Sequence, residues 1–262
     1  MIRESEHFHF AGRKSTDFNI RNVSIEEGLY AEQVVAGKEI EEIYIPGRNE
    51  PYFFGIREEP KTIKLRFAFP NGWNDKLIDD VIRWLNVDTY QPLYFEGDID
   101  KVFYVIPIDG IDQIHNGLKE GYLELNMRCN SSKSYSHEIM TPIYDTEKLS
   151  YKQDVDFPII KLGNKGHFST FPKIWIEKIN DYHEEIIIYN KTNSNKMFKF
   201  EGIEIGEKLF IDCRKEIINT NKERTHRYDN FNDNYLELIY GENILAITNN
   251  VKIRFGLKYI FS

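Results

Sequence analysis

Residues 62–69 alternate between apolar and polar side chains, which is the two-residue period of a β-strand. The apolar positions form one face of the predicted strand: Ile63, Leu65, Phe67 and Phe69. Residues 121–128 repeat the pattern, with leucines and a methionine alternating against Glu124, Asn126 and Arg128. The chain also contains 16 tyrosines and 18 phenylalanines, which suit a pleated, half-buried surface. These features predict a mainly β protein.

One helix is predicted between these two strands. Asn74 follows the turn residues at 70–72 and is a favourable N-cap. The apolar positions after it have helical spacing: Leu77, Ile78, Val81, Ile82 and Leu85. Further strands are predicted at residues 92–95 and 101–108, whereas the pattern at 40–45 is mixed. The first half is therefore predicted to be a helix lying against a small antiparallel sheet.

The second half contains short apolar runs at regular spacing. The predicted strands are residues 174–179, 185–189, 196–200, 208–211, 235–239, 244–248 and 251–255. Turn residues separate the runs at 164–166, 193–195, 206–207 and 241–243. Such spacing is typical of a β-sandwich.

A chain of 262 residues is long enough for two domains of ordinary size. The polar, non-periodic stretch at residues 130–136 is the predicted boundary, although a connecting hairpin that ends near Asp154 would have a similar pattern. The predicted domains are residues 1–135 and residues 136–262.

Charge and composition exclude several classes of protein. The net charge is −8 and no basic stripe is visible, so no sequence-specific binding of nucleic acid is predicted. The longest aliphatic run is Ile186-Ile187-Ile188 and the first residues lack an apolar signal region, so no membrane insertion is predicted. Cys129 and Cys213 are predicted to be packed thiols. The chain is expected to be synthesised in the cytoplasm and to remain soluble.

No catalytic, cofactor-binding or metal site is predicted, and the protein is not expected to be an enzyme. His7 and His9 lie on one side of a predicted strand, but no third ligand follows at a diagnostic spacing. Residues 98–100 lack the glycine and distal glutamate of a calcium loop, and residues 109–112 are predicted to form a turn. No serine lies in the Gly-x-Ser-x-Gly motif of a nucleophile elbow. The sequence singles out no pair of carboxylates that could catalyse glycoside hydrolysis.

Aromatic side chains in the second half leave one alternative open. They are Trp175, Tyr182, Tyr189, Tyr228 and Tyr235. Alternating aromatic residues in a sandwich usually belong to its core, but exposed rings also stack on sugars. The alternative is therefore a glycan-binding β-sandwich protein, with or without glycoside hydrolase activity.

Several motifs in order along the chain resemble distal tail proteins (Dit) of long-tailed phages. The first is an aromatic-glycine start followed by a serine and an aspartate: Phe8, Phe10, Gly12, Ser15 and Asp17. The helix ends at Trp84-Leu85, and Asp98 and Tyr104 follow in a predicted strand. Three segments of the second half are similar to the second domain of these proteins: the segment at 164–172 that leads into the domain, the strand at 206–212 and the turn at 241–243. Residues 50–60 and 98–100 fit loosely and receive no interface role.

This resemblance implies a fold, an assembly and a location. The fold would be an N-terminal split-barrel-like β domain with a helix and a C-terminal lectin-like or carbohydrate-module-like (galectin-like) β-sandwich. Six copies would form a ring at the distal end of a phage or prophage tail, as part of the virion. The implied partners are the major tail tube protein, the tail-tip or tail-associated lysin protein, the receptor-binding protein and a host-surface saccharide. The acidic net charge suggests a lumen that repels DNA phosphates during passage.

Overall fold

The computed structural model describes residues 5–23, 35–116, 120–149, 157–248 and 250–262. Strands dominate these residues and one α-helix is present among them, so the predicted mainly β class with a single helix is confirmed. None of the described sheets closes into a barrel. The chain divides into two compact units, one running to Tyr135 and the other spanning Ser136–Phe261.

The first unit contains ten strands and the helix within the described residues. The elements are β1 (Phe8–Phe10), β2 (Arg13–Lys14), β3 (Arg21–Asn22), β4 (Lys38–Ile43), β5 (Tyr52–Glu58), β6 (Thr62–Ala68), α1 (Asp75–Leu85), β7 (Gln91–Phe95), β8 (Asp98–His115), β9 (Gly121–Cys129) and β10 (Ser134–Tyr135). The main sheet has the antiparallel order β2-β1-β7-β8-β9-β6-β3. Strands β4 and β5 pair only with each other in the described sheets and form a separate hairpin.

The predicted alternation sets the register of the main sheet. In the pairing of β6 with β9, Leu65 lies opposite Leu125 and Phe67 lies opposite Leu123. All four side chains are buried, because a strand places alternate residues on one face and that face covers the core. Charged residues occupy the other face, as the sequence predicts.

An indole ring joins the helix to the first strand. Trp84 stacks on Phe18 with 4.5 Å between the ring centroids and on Phe8 with 5.7 Å. Its Nε1 donates a hydrogen bond of 2.9 Å to the carbonyl oxygen of Phe10. The indole therefore satisfies its polar atom while its ring fills the core between α1 and β1.

The helix begins and ends as predicted, and Trp84 belongs to its buried face. Asn74 Oδ1 accepts a 2.8 Å hydrogen bond from the Leu77 amide, which confirms the predicted N-cap. Val81, Trp84 and Leu85 are buried, whereas Ile82 is 45% exposed. Ile82 therefore has the predicted helical spacing without being buried, and Trp84 contributes to the core.

Strand β8 is longer than predicted. It continues past residue 108 to His115, and its register with β9 shifts between Ile108 and Asp112. Asp109 in this irregularity has a φ of 65° and accepts a hydrogen bond from Asn126 Nδ2. The turn predicted at residues 109–112 is therefore wrong: these residues form a bulge inside the strand.

The second unit contains eleven strands within the described residues. They are β11 (Ile139–Met140), β12 (Tyr144–Asp145), β13 (Ile159–Asn164), β14 (Lys173–Lys178), β15 (Ile186–Asn190), β16 (Lys196–Phe200), β17 (Lys208–Asp212), β18 (Ile217–Thr220), β19 (Gly241–Ile247), β20 (Val251–Leu257) and β21 (Ile260–Phe261). One sheet has the order β11-β20-β14-β17-β18, with β12 also pairing with β20, and the other has the order β13-β19-β15-β16. Buried aliphatic and aromatic residues from both sheets share one core, which confirms the predicted sandwich.

One strand prediction and one turn prediction in the second unit are wrong. Residues 235–239 are not a strand: Leu238 makes only an isolated bridge with Thr170, within the long connection from β18 to β19. The predicted turn at 241–243 is the start of β19, with Gly241 opposite Asn164. Strand β18 was not predicted and is the edge of its sheet. The Ile218 amide on this strand donates to the hydroxyl of Tyr228 in the connection.

A buried ion pair fixes the same connection to the sandwich. The side chain of Glu207 is fully buried, and both its oxygens accept from Arg227, at 2.8 Å from Nε and 2.7 Å from Nη2. Thr220 Oγ1 and the Glu204 amide also donate to this carboxylate, at 2.7 and 3.2 Å. Four donors thus compensate for removing the carboxylate from water.

Candidate assembly surface

The residues considered as metal or catalytic candidates have structural roles. His7 Nδ1 lies 3.2 Å from the hydroxyl of Ser15, while the ring of His9 stacks on Tyr94 at 4.5 Å. Burial lowers the pKa of His9, and nearby Lys14 lowers it further. Across the described ranges no cluster of three or more histidine, cysteine, aspartate or glutamate side chains has the geometry to hold a metal ion. The expected absence of a site stays a prediction.

The two cysteines are buried free thiols, which confirms that prediction. Burial raises the pKa of Cys129 to about 11 and that of Cys213 to about 12. Both side chains are therefore unreactive thiols at neutral pH, since the thiolate is the nucleophilic form.

The aromatic residues of the glycan-binding alternative lie in separate parts of the second unit. Trp175 on β14 packs against Phe210 of the neighbouring strand, with ring centroids 5.2 Å apart. Tyr189 belongs to the other sheet and stacks on Phe157. Tyr182 is 70% exposed in the connection between β14 and β15. Trp175 and Tyr189 thus belong to different sheets and do not form one stacking platform.

The most unusual surface of the described chain is the hairpin of β4 and β5. We call residues 38–58 the arm: the two strands and the turn that joins them. Eight of its large hydrophobic side chains are between 44% and 70% exposed: Ile40, Ile43, Tyr44, Ile45, Tyr52, Phe53, Phe54 and Ile56. Exposed apolar surfaces of this extent are typical of sites that contact another protein, a membrane or a ligand.

The register of the arm divides its residues between two faces. Ile40 lies opposite Ile56, and Glu42 lies opposite Phe53 after a bulge that leaves Phe54 unpaired. The four paired residues form one face, which is mostly apolar, because directly opposed residues point the same way. The other face has Ile43 opposite Tyr52 and carries the Glu39–Arg57 ion pair. Hydrophobic residues are exposed on both faces, so neither is an ordinary solvent-facing surface.

Hydrogen bonds close the base of the arm, and a side-chain bond connects it to the rest of the first unit. The Glu59 amide donates to the carbonyl oxygen of Gly37 at 3.0 Å, which closes the hairpin. The hydroxyl of Ser132 donates to Glu58, and this hydrogen bond lowers the pKa of that carboxyl group. The Cys129 amide donates to the Lys61 carbonyl oxygen at 2.8 Å, which continues the pairing of β6 with β9.

The charges on the arm are unbalanced. It contains five glutamates and three basic residues, which gives a net charge of −2. The hydrogen bond and charge of Glu39 raise the pKa of Arg57. A hydrogen bond to Glu42, together with the charge of that carboxylate, raises the pKa of Tyr44. The guanidinium of Arg48 lies 4.3 Å from the centroid of the Tyr52 ring. The arm is thus apolar with an acidic excess.

The sequence pattern does not predict this surface. Residues 40–45 have a mixed pattern and residues 50–60 received no role, because apolar side chains on both faces remove the two-residue alternation. A signal was nevertheless present, since residues 52–56 hold three aromatic or aliphatic side chains in succession before a glycine and an isoleucine. In a strand that pairs with only one neighbour, such a run leaves hydrophobic residues exposed.

No helix in the described parts of the chain has the length and apolar character required to cross a membrane. Family models match both halves: one described as "Phage tail protein N-terminal domain" matches residues 3–131, and one described as "Phage tail C-terminal domain" matches residues 144–259. The chain is also 31% identical to the SPbeta prophage-derived uncharacterized protein YomH of Bacillus subtilis (strain 168), over 259 residues that cover 99% of each chain.

Solved structures share the fold at low sequence identity. The SPP1 Dit (gp 19.1) protein, described as a paradigm of hub adsorption apparatus in Gram-positive infecting phages, is similar with a TM-score of 0.66 and 16% identity, over 96% of this chain and 98% of that one. A chain of the phage P2 baseplate in its activated conformation with Ca is similar with a TM-score of 0.50 and 10% identity, over 97% of both chains. The chain therefore belongs to the phage tail proteins described by these family models, and the predicted resemblance to the distal tail proteins is confirmed.

Proposed function

We propose that this phage tail protein is a distal tail hub that assembles from six copies into a ring. The ring joins the tail tube to the tail tip or baseplate and to the adsorption apparatus. The family membership and the Dit-like fold support this role, and the arm is the single observation that carries it. The role is structural, and the protein performs no catalysis.

A two-stranded ribbon that is not packed on a larger sheet is marginally stable in water. The arm exposes eight large hydrophobic side chains, each roughly half exposed. Burying the exposed half of one such side chain contributes about 1 kcal/mol, so the whole arm contributes on the order of 8 kcal/mol. This gain falls within the range of about 4–15 kcal/mol that association costs in lost freedom. The arm therefore supplies a large part of an interface, and the remainder comes from the body of the first unit.

A ring uses this contact more effectively than an open pair. In a heterologous interface, one surface of each copy meets a different surface of its neighbour, and the contacts close when the rotation between copies is correct. Each copy in the closed ring gives one arm and receives one, so the last contact forms within a single assembly at a high effective concentration. The fraction of protein assembled into rings is therefore expected to rise steeply with protein concentration.

The proposed partners follow from the place of the ring in the tail. One face of the ring binds the major tail tube protein and the other binds the tail-tip or tail-associated lysin protein, while the second units hold the receptor-binding protein or contact a host-surface saccharide. The net charge of −8 suits a lumen through which DNA passes, because carboxylates repel phosphate groups. In this proposal the protein is a virion component that is synthesised in the host cytoplasm.

The test is the native mass of the purified protein over a wide concentration range, with negative-stain images of the same samples. A six-subunit ring with a central hole is the expected result. A triple substitution in the arm, Phe53→Ser, Phe54→Ser and Ile56→Ser, should prevent assembly while circular dichroism shows a folded monomer. The matched control replaces three exposed isoleucines of the second unit with serine: Ile139, Ile143 and Ile205. A wild-type protein that stays monomeric, even when mixed with the purified tail tube and tail-tip proteins, would contradict the proposal.

A further inference from the structure

A second surface of the first unit has the composition of an energetically important contact. We call it the tyrosine patch: Tyr90, Pro92, Tyr94, Tyr104, Ile106 and Arg128. Pro92 lies opposite Tyr104 in the pairing of β7 with β8, and Ile106 lies opposite Arg128 in the pairing of β8 with β9. Tyrosine and arginine are enriched among the residues that dominate binding energy in interfaces.

The tyrosine patch lies on the outer face of the main sheet. Phe103 and Val105, which alternate with Tyr104 and Ile106 along β8, are buried in the core. Tyr104 and Ile106 therefore point away from the core, and both are partly exposed. Arg128 is exposed, and its Nη1 donates a 2.6 Å hydrogen bond to the hydroxyl of Tyr90, which is 39% exposed. The hydroxyl of Tyr90 thus holds the guanidinium in place within the tyrosine patch.

We propose that the tyrosine patch receives the arm of a second copy of this chain. The arm presents Ile40, Phe53 and Ile56 on one face, with Glu42 beside them. These side chains match the apolar part of the tyrosine patch, and Glu42 provides a carboxylate for Arg128. The inference rests on the proposed ring, and it identifies the surface that each arm contacts there.

Charge and geometry support a second copy as the occupant. The arm has a net charge of −2, and its contact with the tyrosine patch brings this acidic excess to a cation. The side chains of the arm are exposed in the single chain, so the arm does not cover its own patch. A heterologous ring requires two such different and complementary surfaces on every copy.

The sizes of the two surfaces are also compatible. Two paired strands are roughly 10 Å wide, and the seven residues of β5 extend for roughly 23 Å. The tyrosine patch covers parts of three adjacent strands, β7, β8 and β9, which together are roughly 14 Å wide. The ribbon can therefore lie across the outer face without reaching the edges of the main sheet.

Cysteine cross-linking of the full-length protein tests the contact directly. A chain carrying Ile56→Cys and Ile106→Cys should form covalent multimers with a short bismaleimide, up to six subunits, and each single variant should form none. The native Cys129 and Cys213 are buried and do not interfere. A control chain with Ile56→Cys and Ile139→Cys carries its second cysteine on β11 of the second unit and should remain uncross-linked.

A charge exchange provides an independent measurement. Arg128→Glu should raise the protein concentration at half assembly about tenfold or more, and adding Glu42→Arg should restore it to within about threefold of wild type. Lys215→Glu, at an exposed position of the second unit, is the matched control and should have no effect. Thermal unfolding of each variant separates loss of assembly from loss of folding.

The outcomes distinguish the two proposals. Cross-linking together with charge rescue supports the arm-to-patch contact. A ring that forms and requires the arm, but gives no cross-link and ignores Arg128→Glu, overturns this inference and leaves the proposed hub intact. A wild-type protein that stays monomeric, even when mixed with the purified tail tube and tail-tip proteins, overturns both proposals.

Discussion

Removing Arg227 from the second unit should destabilise that unit strongly. The substitution Arg227→Met keeps most of the aliphatic stem but removes the guanidinium that binds both oxygens of Glu207. The side chain of Glu207 is fully buried and that of Arg227 is only 12% exposed, so water cannot replace the lost donors. The variant must either bury an uncompensated carboxylate or take up a proton from solvent.

The magnitude follows from this burial. Breaking a buried ion pair by removing one partner costs about 3–5 kcal/mol, because the remaining charge stays desolvated. The exposed pair of Lys222 and Glu204, whose side chains are 39% and 62% exposed, contributes at most about 1 kcal/mol. Arg227→Met should therefore reduce the free energy of unfolding at least three times as much as Lys222→Ala. Replacing both Glu207 and Arg227 with methionine should recover part of the loss, since no charge is then left unpaired.

Hydrogen exchange measured by mass spectrometry reports the second unit separately from the first. Amides of β17 that exchange only through global unfolding should exchange about 10²–10⁴-fold faster in Arg227→Met at pH 7. In the wild type, burial alone would raise the pKa of Glu207, but the hydrogen bonds from Arg227 and Thr220 outweigh it and the pKa is lowered. The stabilisation is thus complete above the unfolded pKa of about 4.3 and is lost as the pH falls through the folded value. An effect of Arg227→Met no larger than that of Lys222→Ala, or a difference from wild type that does not shrink below about pH 4, would refute this reasoning.

Three further predictions concern the core, the helix and the thiols. Trp84→Phe removes the Nε1 donor of the hydrogen bond to Phe10 and leaves that carbonyl oxygen buried without it. The free energy of unfolding, measured by urea denaturation, should therefore fall by about 1–3 kcal/mol. An unchanged denaturation midpoint would contradict the packing role given to the indole. Asn74→Ala should cost about 1 kcal/mol through loss of the N-cap, whereas Asn74→Ser should cost less, and equal stabilities would show that the cap does not matter. Cys129 and Cys213 should resist a thiol reagent in the native protein at pH 8 and react in urea; rapid native labelling would contradict their burial and raised pKa values.

The alternating strands were predictable because each buries one face. Residues 62–69 and 121–128 show the two-residue period clearly. Strands β6 and β9 pair with each other, and the apolar residues of their predicted faces lie in the core. Strand β16 has the predicted bounds for the same reason. Local pattern is sufficient wherever a strand has one dry face and one wet face.

The errors arise where tertiary contacts outweigh local pattern. Residues 235–239 are apolar because Leu236 and Leu238 enter the core from an irregular connection, not because they belong to a sheet. The arm was not predicted because its hydrophobic residues point to both faces, which removes the alternation that identifies a strand. Contacts within a single chain do not explain why these residues are hydrophobic. The tyrosine patch was also not predicted, since its residues come from separate strands and the connection before β7 and meet only after the sheet has formed.

The attachment of the arm has a consequence for how many copies a ring contains. A ring closes only when the rotation from one subunit to the next divides a full turn, and that rotation depends on the direction in which the arm leaves its own body. Gly37, Glu58, Glu59 and Ser132 set this direction at the base of the arm, away from its hydrophobic tip. In the proposed ring these hydrogen bonds would therefore set the subunit number, and a small change in the direction of the arm would produce a ring of different size or an open helix.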